Sequence, residues 1–100
     1  KPWEGMHSYA ETREVIRRQI DAGMPIPCLT LKHRAPSMEF YVWHWYLLTG
    51  YEDFDGECAV KAVTYGNFRW LDLRTLWETG YEHRGGLVLL SEQKECETTP

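Results

Sequence analysis

Residues 40–48 form a run of nine positions in which His44 is the one residue that is neither aromatic nor aliphatic. The run is far shorter than the roughly 20 apolar residues that cross a membrane, so we expect no membrane partner. Its length suits a β-strand, and apolar residues at successive rather than alternate positions predict a strand that is buried on both faces. The rest of the chain must therefore supply neighbouring strands and layers that cover a central strand.

A helix is predicted ahead of this run. Ser8 and Glu11 have the spacing of a capping box, in which each side chain binds the other residue's backbone N–H at a helix start. Apolar residues recur at helical spacing through Ile16, and Gly23 is typical of the residue that ends a helix. We expect the helix to extend over residues 9–22 and to pack its Ile16 face on the sheet.

Turn residues and short apolar runs predict the remaining elements. These are strands over residues 28–32, 40–48, 58–65 and 87–90, and a short helix over residues 73–79 that follows Asp72. Residues 50–56 contain three acidic residues and two glycines and are predicted to form a loop, with a hairpin between the strands on either side.

This order of elements indicates an α+β domain with a largely antiparallel sheet, one N-terminal helix and one short helix. No internal repeat or linker divides the chain. We therefore expect a single domain over residues 1–100, with an ordered core over residues 7–91 and a polar tail over residues 92–100.

Charge and cysteine content narrow the classes of partner and cofactor. Eleven basic residues against fifteen acidic ones give a net charge of -4, and the basic residues are scattered, so nucleic acid is not an expected partner. Three cysteines cannot all pair with one another, and none has a CxxC spacing, so we expect neither a disulfide framework nor a metal or other cofactor. Because the first residues contain no apolar signal region, the expected location is the cytoplasm.

His44 is the residue of the apolar run that can carry chemistry. A buried imidazole must find hydrogen-bond partners, and it is either a satisfied core histidine or a general base. A base of this kind needs a nucleophile, but Cys28 lies within an apolar predicted strand, where a thiol behaves as a small hydrophobic group. No cysteine begins a predicted helix, the position that makes a thiol reactive. The residues alone therefore indicate a candidate base without a nucleophile.

Three segments, in this order, resemble the papain-like cysteine peptidases of the bacterial, bacteriocin-processing branch. They are residues 16–27 (IRRQIDAGMPIP), residues 43–52 (WHWYLLTGYE) and residues 86–90 (GLVLL). In that family a helix that ends in Gly and Pro leads to a strand, and a His-bearing strand follows and closes in Gly and Tyr. The resemblance covers residues 8–91 but only the second half of the family's fold.

The resemblance implies that His44 is the general base, which takes the proton of a thiol and returns it to the leaving group. It also implies an orienting Asp or Asn near the end of the next strand, for which Asn67 is the first choice and Thr64 the second. The family's nucleophilic Cys belongs to an earlier helix, which would lie upstream of Lys1 or on a partner chain. The catalytic residues predicted in this chain are therefore His44 and Asn67.

Two functions follow from these expectations. The resemblance predicts the His-bearing portion of a cysteine peptidase or acyltransferase, a hydrolase-like chain that acts on a peptide or protein and is inactive alone. Such a chain would associate with itself or with a Cys-bearing partner. The alternative is a noncatalytic protein-binding or regulatory module that retains the half-fold. An apolar sheet face without a covering helix would separate the two functions and favour the first, because a missing Cys-bearing helix would leave such a patch exposed where it packs.

Overall fold

A computed structural model describes residues 1–82 and 84–90 of the chain. Its elements are β1 (Pro2–Glu4), α1 (Tyr9–Asp21), β2 (Ile26–Thr30), β3 (His44–Phe54), β4 (Glu57–Thr64), β5 (Asn67–Asp72), α2 (Leu73–Trp77) and β6 (Gly85–Val88). A short 3₁₀ turn, Pro36–Met38, lies between β2 and β3. Neither described helix is long and apolar enough to cross a membrane. The predicted polar tail, residues 92–100, lies outside the described residues.

The six strands form one sheet in the order β1-β6-β2-β3-β4-β5, and every neighbouring pair is antiparallel. Both helices pack on the same face of the sheet, because the buried side chains of α1, α2 and the strands form one cluster. Ile16 of α1, Leu73 of α2 and Leu48 of β3 are fully buried in this cluster. The predicted α+β class with a largely antiparallel sheet is confirmed.

Helix α1 forms where the sequence predicts it, to within one residue at its end. The Ser8 hydroxyl accepts the backbone N–H of Glu11 at 3.1 Å, and the Glu11 carboxylate accepts the N–H of Ser8 at 2.9 Å, which completes the capping box. Gly23 follows the helix with a φ of +82°, a left-handed conformation that costs glycine little. Ile16 lies in the core as expected.

The prediction that residues 40–48 form a strand buried on both faces is wrong. Strand β3 begins at His44, and its residues alternate between buried and exposed. Tyr46 and Leu48 lie in the core, whereas Trp45 is 54% exposed on the opposite face. The reason is that the described helices cover one face of the antiparallel sheet, so consecutive apolar residues cannot all be buried.

The predicted loop over residues 50–56 is also wrong, although the hairpin around it is confirmed. Strand β3 continues to Phe54, and a two-residue turn at Asp55 and Gly56 leads into β4. Both turn residues have positive φ, 48° and 77°, as a type I′ turn requires. The Asp-Gly dipeptide is a strong sequence signal for such a turn, but the acidic composition of the segment favoured a longer loop.

Two strands have no counterpart among the predicted elements. Strand β1 is a short edge strand beside β6, and β5 is the opposite edge strand, joined to β4 by a turn at Tyr65 and Gly66. After β5, the carboxylate of Asp72 accepts the backbone N–H of Thr75 at 2.9 Å and caps α2, as expected. Helix α2 ends at Trp77, two residues earlier than predicted.

Replacing Ile16 with Ala is expected to lower the free energy of unfolding by about 2–5 kcal/mol, because the change removes buried groups and leaves a cavity. The same change at Ile20, which is partly buried against the core, is expected to cost less. Chemical denaturation of the two variants measures the difference. A loss below about 0.5 kcal/mol for Ile16→Ala would show that this helix face does not pack on the sheet.

Candidate functional site

His44 is the first residue of β3, and its side chain lies on the face of the sheet that the helices cover. Alternation along β3 places it on the same side as Tyr46, which is buried. The Nε2 atom of His44 lies 2.6 Å from Oγ1 of Thr64, a hydrogen bond in which either atom can donate. Thr64 is the last residue of β4, the strand beside β3. Thr64, the second choice for the residue that orients His44, is thus in contact with the imidazole.

Asn67, the first choice, lies one strand further away. It begins β5, where it pairs with Thr64, and its Oδ1 accepts the backbone N–H of Phe68 at 2.8 Å. The described residues show no hydrogen bond between Asn67 and His44. Because β4 lies between β3 and β5, and neighbouring strands are about 4.8 Å apart, the nearer strand supplies the partner of the imidazole.

The two nitrogens of His44 have different surroundings. Nε2 binds Thr64, whereas Nδ1 has no hydrogen-bond partner among the described residues and is not fully buried. His33 provides the contrast, because its Nδ1 accepts the backbone N–H of Ala35 at 2.9 Å and its Nε2 donates to the carbonyl of Thr75 at 2.6 Å. His33 is a satisfied structural histidine, and His44 keeps one nitrogen available.

Tyr65, which sequence reasoning missed, covers the ring of His44. The two rings stack with centroids 4.6 Å apart and planes 2° apart. The Tyr65 hydroxyl donates to the backbone carbonyl of Phe40 at 3.2 Å. Tyr65 has a φ of 53°, in the left-handed region, and is 72% exposed. The signal that could have found it is the Tyr65-Gly66 dipeptide between two strand-like segments, since Gly at this position is typical of two-residue hairpin turns.

A groove of about 280 Å³ opens beside these residues. It lies between the loop that precedes β3 and the β4–β5 hairpin, and Tyr41, Thr64 and Tyr65 contribute to its walls. Asn67 and Arg69 also line it, and Arg69 is the one charged side chain among its described lining residues. Thr64 both lines the groove and binds His44, so the groove extends to the hydrogen-bond partner of the imidazole.

The two described cysteines are not activated as nucleophiles. Both are free and buried. Burial raises the pKa of Cys28 to about 12. Burial and the neighbouring Asp53 carboxylate raise the pKa of Cys58 to about 11. Thiols with these pKa values stay protonated at neutral pH, and no hydrogen bond among the described residues links either thiol to His44.

The other described histidines do not form a metal centre. His7 stacks on Trp3 with ring centroids 3.7 Å apart, and both nitrogens of His33 are bonded. Within residues 1–82 and 84–90, no group of three or more His, Cys, Asp or Glu side chains could hold a metal ion.

The sheet face opposite the two helices carries a row of apolar side chains. The strand register places these side chains on the same face of the sheet. We call this set of residues the open face: Pro2, Pro27, Trp45, Leu47, Val63, Phe68, Trp70 and Val88. No described helix packs on the open face, and Phe68 is 52% and Trp70 47% exposed there. His44 points to the other side, so the sheet separates the open face from the His44 site.

Comparison with known proteins does not assign this chain to a family. No known protein family, no curated protein and no solved structure matches it significantly. The resemblance to papain-like peptidases therefore stays a prediction.

Alkylation with iodoacetamide tests the state of the two thiols. In a folded Cys96→Ser variant, Cys28 and Cys58 are expected to react at least about 100-fold more slowly at pH 8 than in the denatured protein, because their raised pKa values leave little thiolate. Since both pKa values lie above the ordinary range, the rate is expected to rise with pH through pH 9 without levelling off. Mass spectrometry counts the added groups, and equal rates in folded and denatured protein would contradict the burial.

Proposed function

We propose that this chain is the His-bearing portion of a papain-like cysteine peptidase or acyltransferase that acts on a peptide or protein. The nucleophilic thiol is supplied by sequence outside these 100 residues, in the same protein or on a partner chain. On this proposal the 100 residues alone are inactive. Cys28 and Cys58, which are free and buried, fit a reducing compartment, and we place the protein in the cytoplasm.

The observation that carries the proposal is the asymmetric environment of His44. Thr64, which lines the groove, holds Nε2 at 2.6 Å, while Nδ1 has no hydrogen-bond partner among the described residues and is not fully buried. A general base needs this arrangement, in which a second group orients the ring and one nitrogen remains free to accept a proton. His33 is the contrasting structural histidine, because both of its ring nitrogens form hydrogen bonds.

In the proposed reaction, Nδ1 takes the proton of the incoming thiol, and the thiolate attacks the carbonyl carbon of the substrate. The imidazolium then gives that proton to the leaving amine, which leaves an acyl group on sulfur as a thioester. Water or an acceptor amine releases the acyl group. The reaction requires the tautomer in which Nε2–H donates to the Thr64 hydroxyl and Nδ1 is free to accept a proton, and the 2.6 Å contact is compatible with it. Because a hydroxyl is neutral, Thr64 orients the ring without the charge stabilisation of a carboxylate.

The nucleophile must approach from the side of the sheet on which His44 lies. A segment that packs on the open face cannot reach His44, because the sheet lies between them. The groove lined by Thr64 and Tyr65 offers about 280 Å³ on the required side. A helix whose N-terminus lay in this groove would also lower the pKa of a thiol in its first turn.

Replacing His44 with Asn in the protein that contains the nucleophile tests the catalytic role. The alkylation rate of the nucleophilic thiol at pH 6–7 is expected to fall at least about tenfold, because the thiol loses its base. His7→Asn is the matched control and is expected to leave the rate unchanged, since His7 stacks on Trp3 away from the groove. Equal rates in folded His44→Asn and the unchanged protein would overturn the catalytic role.

A second candidate function, protein binding without catalysis, is favoured by the open face. Monomeric proteins rarely expose a continuous apolar patch larger than a few hundred Å², and such patches mark interaction surfaces. Trp45, Phe68 and Trp70 are of the residue types enriched at protein interfaces. In this function His44 is structural, and the chain associates with a partner protein or with itself.

Replacing Leu47 with Lys places a charge at the middle of the open face. If the chain associates with itself through this face, sedimentation is expected to show concentration-dependent association that Leu47→Lys abolishes. Met6→Lys is the control, because Met6 is 78% exposed and lies outside the open face. A chain that stays monomeric at all accessible concentrations, and binds no dye specific for apolar surface, would contradict self-association through the open face.

A further inference from the structure

Tyr65 occupies a backbone position that does not favour tyrosine. Strand β4 lies between two turns of two residues each, Asp55-Gly56 before it and Tyr65-Gly66 after it. The first residue of each turn is left-handed, with a φ of 48° at Asp55 and 53° at Tyr65, and the Gly that follows also has positive φ. Asp, Asn and Gly suit the first position of such a turn, whereas a bulky side chain is strained there.

Burial does not account for the tyrosine. Its side chain is 72% exposed, so the ring gains little from leaving water. Instead the ring stacks on His44, with planes 2° apart, and its hydroxyl binds the carbonyl of Phe40. Tyr65 is thus held at its face by the imidazole and at its far end by a hydrogen bond to the loop that precedes β3.

We infer that Tyr65 is a positioning residue for His44. The hydrogen bond to Thr64 holds one nitrogen and leaves the imidazole able to tilt about that contact. A ring stacked on one face of the imidazole restricts this tilt, which keeps Nε2 on Thr64 and Nδ1 free of other partners. That the stacked ring aids catalysis rests on the proposed function. That it restricts the orientation of His44 can be tested on the 100 residues alone.

NMR spectra of the 100-residue chain test the stack directly, because a stacked aromatic ring shifts the ring C–H protons of His44 upfield. Tyr65→Phe keeps the ring and is expected to retain the shift. Tyr65→Asn supplies a residue that suits the turn but removes the ring. It is expected to lose the shift, while the melting temperature stays equal or rises.

Asp55→Tyr is the matched control, because it places a tyrosine in the corresponding turn at the other end of β4. This variant is expected to have a lower melting temperature and unchanged His44 signals. The comparison separates the cost of a tyrosine in the turn from the contact that Tyr65 makes with His44.

The alkylation assay of the protein that contains the nucleophile gives the functional readout. Tyr65→Asn is expected to lower the rate of the nucleophilic thiol about tenfold, and Tyr65→Phe to retain it, because a misplaced base transfers the proton less well. His44 signals that do not move in Tyr65→Asn, or that move equally in Tyr65→Phe, would overturn the positioning role. If the signals move as expected but His44→Asn leaves alkylation unchanged, the positioning role is supported and the proposed function fails.

Discussion

The packing of both helices on one face of the sheet determines where every other feature of the molecule lies. Helix α1 buries Ile16 and helix α2 buries Leu73 in a single core against the strands. Successive residues of a strand point to opposite faces, so the burial of Tyr46 and Leu48 also fixes the direction of their neighbours. His44 shares their side of β3. A slip of one residue in the register of β3 would exchange the two faces and remove His44 from its partner.

One sheet therefore presents two surfaces of different chemistry. On the covered side, at the end of the strands, His44 meets Thr64 and Tyr65 beside a groove that contains Arg69 as its one charge among the described lining residues. On the other side, the open face crosses all six strands with apolar side chains. Because His44 lies on the other side of the sheet, a partner on the open face leaves the imidazole accessible. Phe68, on the edge strand β5, is the one residue that belongs both to the open face and to the described lining of the groove.

Strand β4 connects the site to the rest of the fold through its final residues. Thr64 reaches His44 because β4 is the strand beside β3, and Asn67 is kept at a distance by that same strand. Tyr65 follows in a turn whose backbone matches the turn at Asp55 at the other end of the strand. The local backbone requirement is the same at both turns, so the difference between aspartate and tyrosine reflects what lies next to each turn.

Local signals in the chain were sufficient to predict helix α1, the cap of α2 at Asp72 and the hairpin between β3 and β4, because capping boxes and turns involve residues a few positions apart. They also identified His44 as the candidate general base. They did not reveal that one face of β3 is exposed, since a nine-residue run that is apolar at every position except His44 looks the same whether one face or both are covered. Nor did they choose between Thr64 and Asn67 or find the role of Tyr65. Those contacts join residues about 20 positions apart and depend on which strands are neighbours, which the packing of the whole sheet decides.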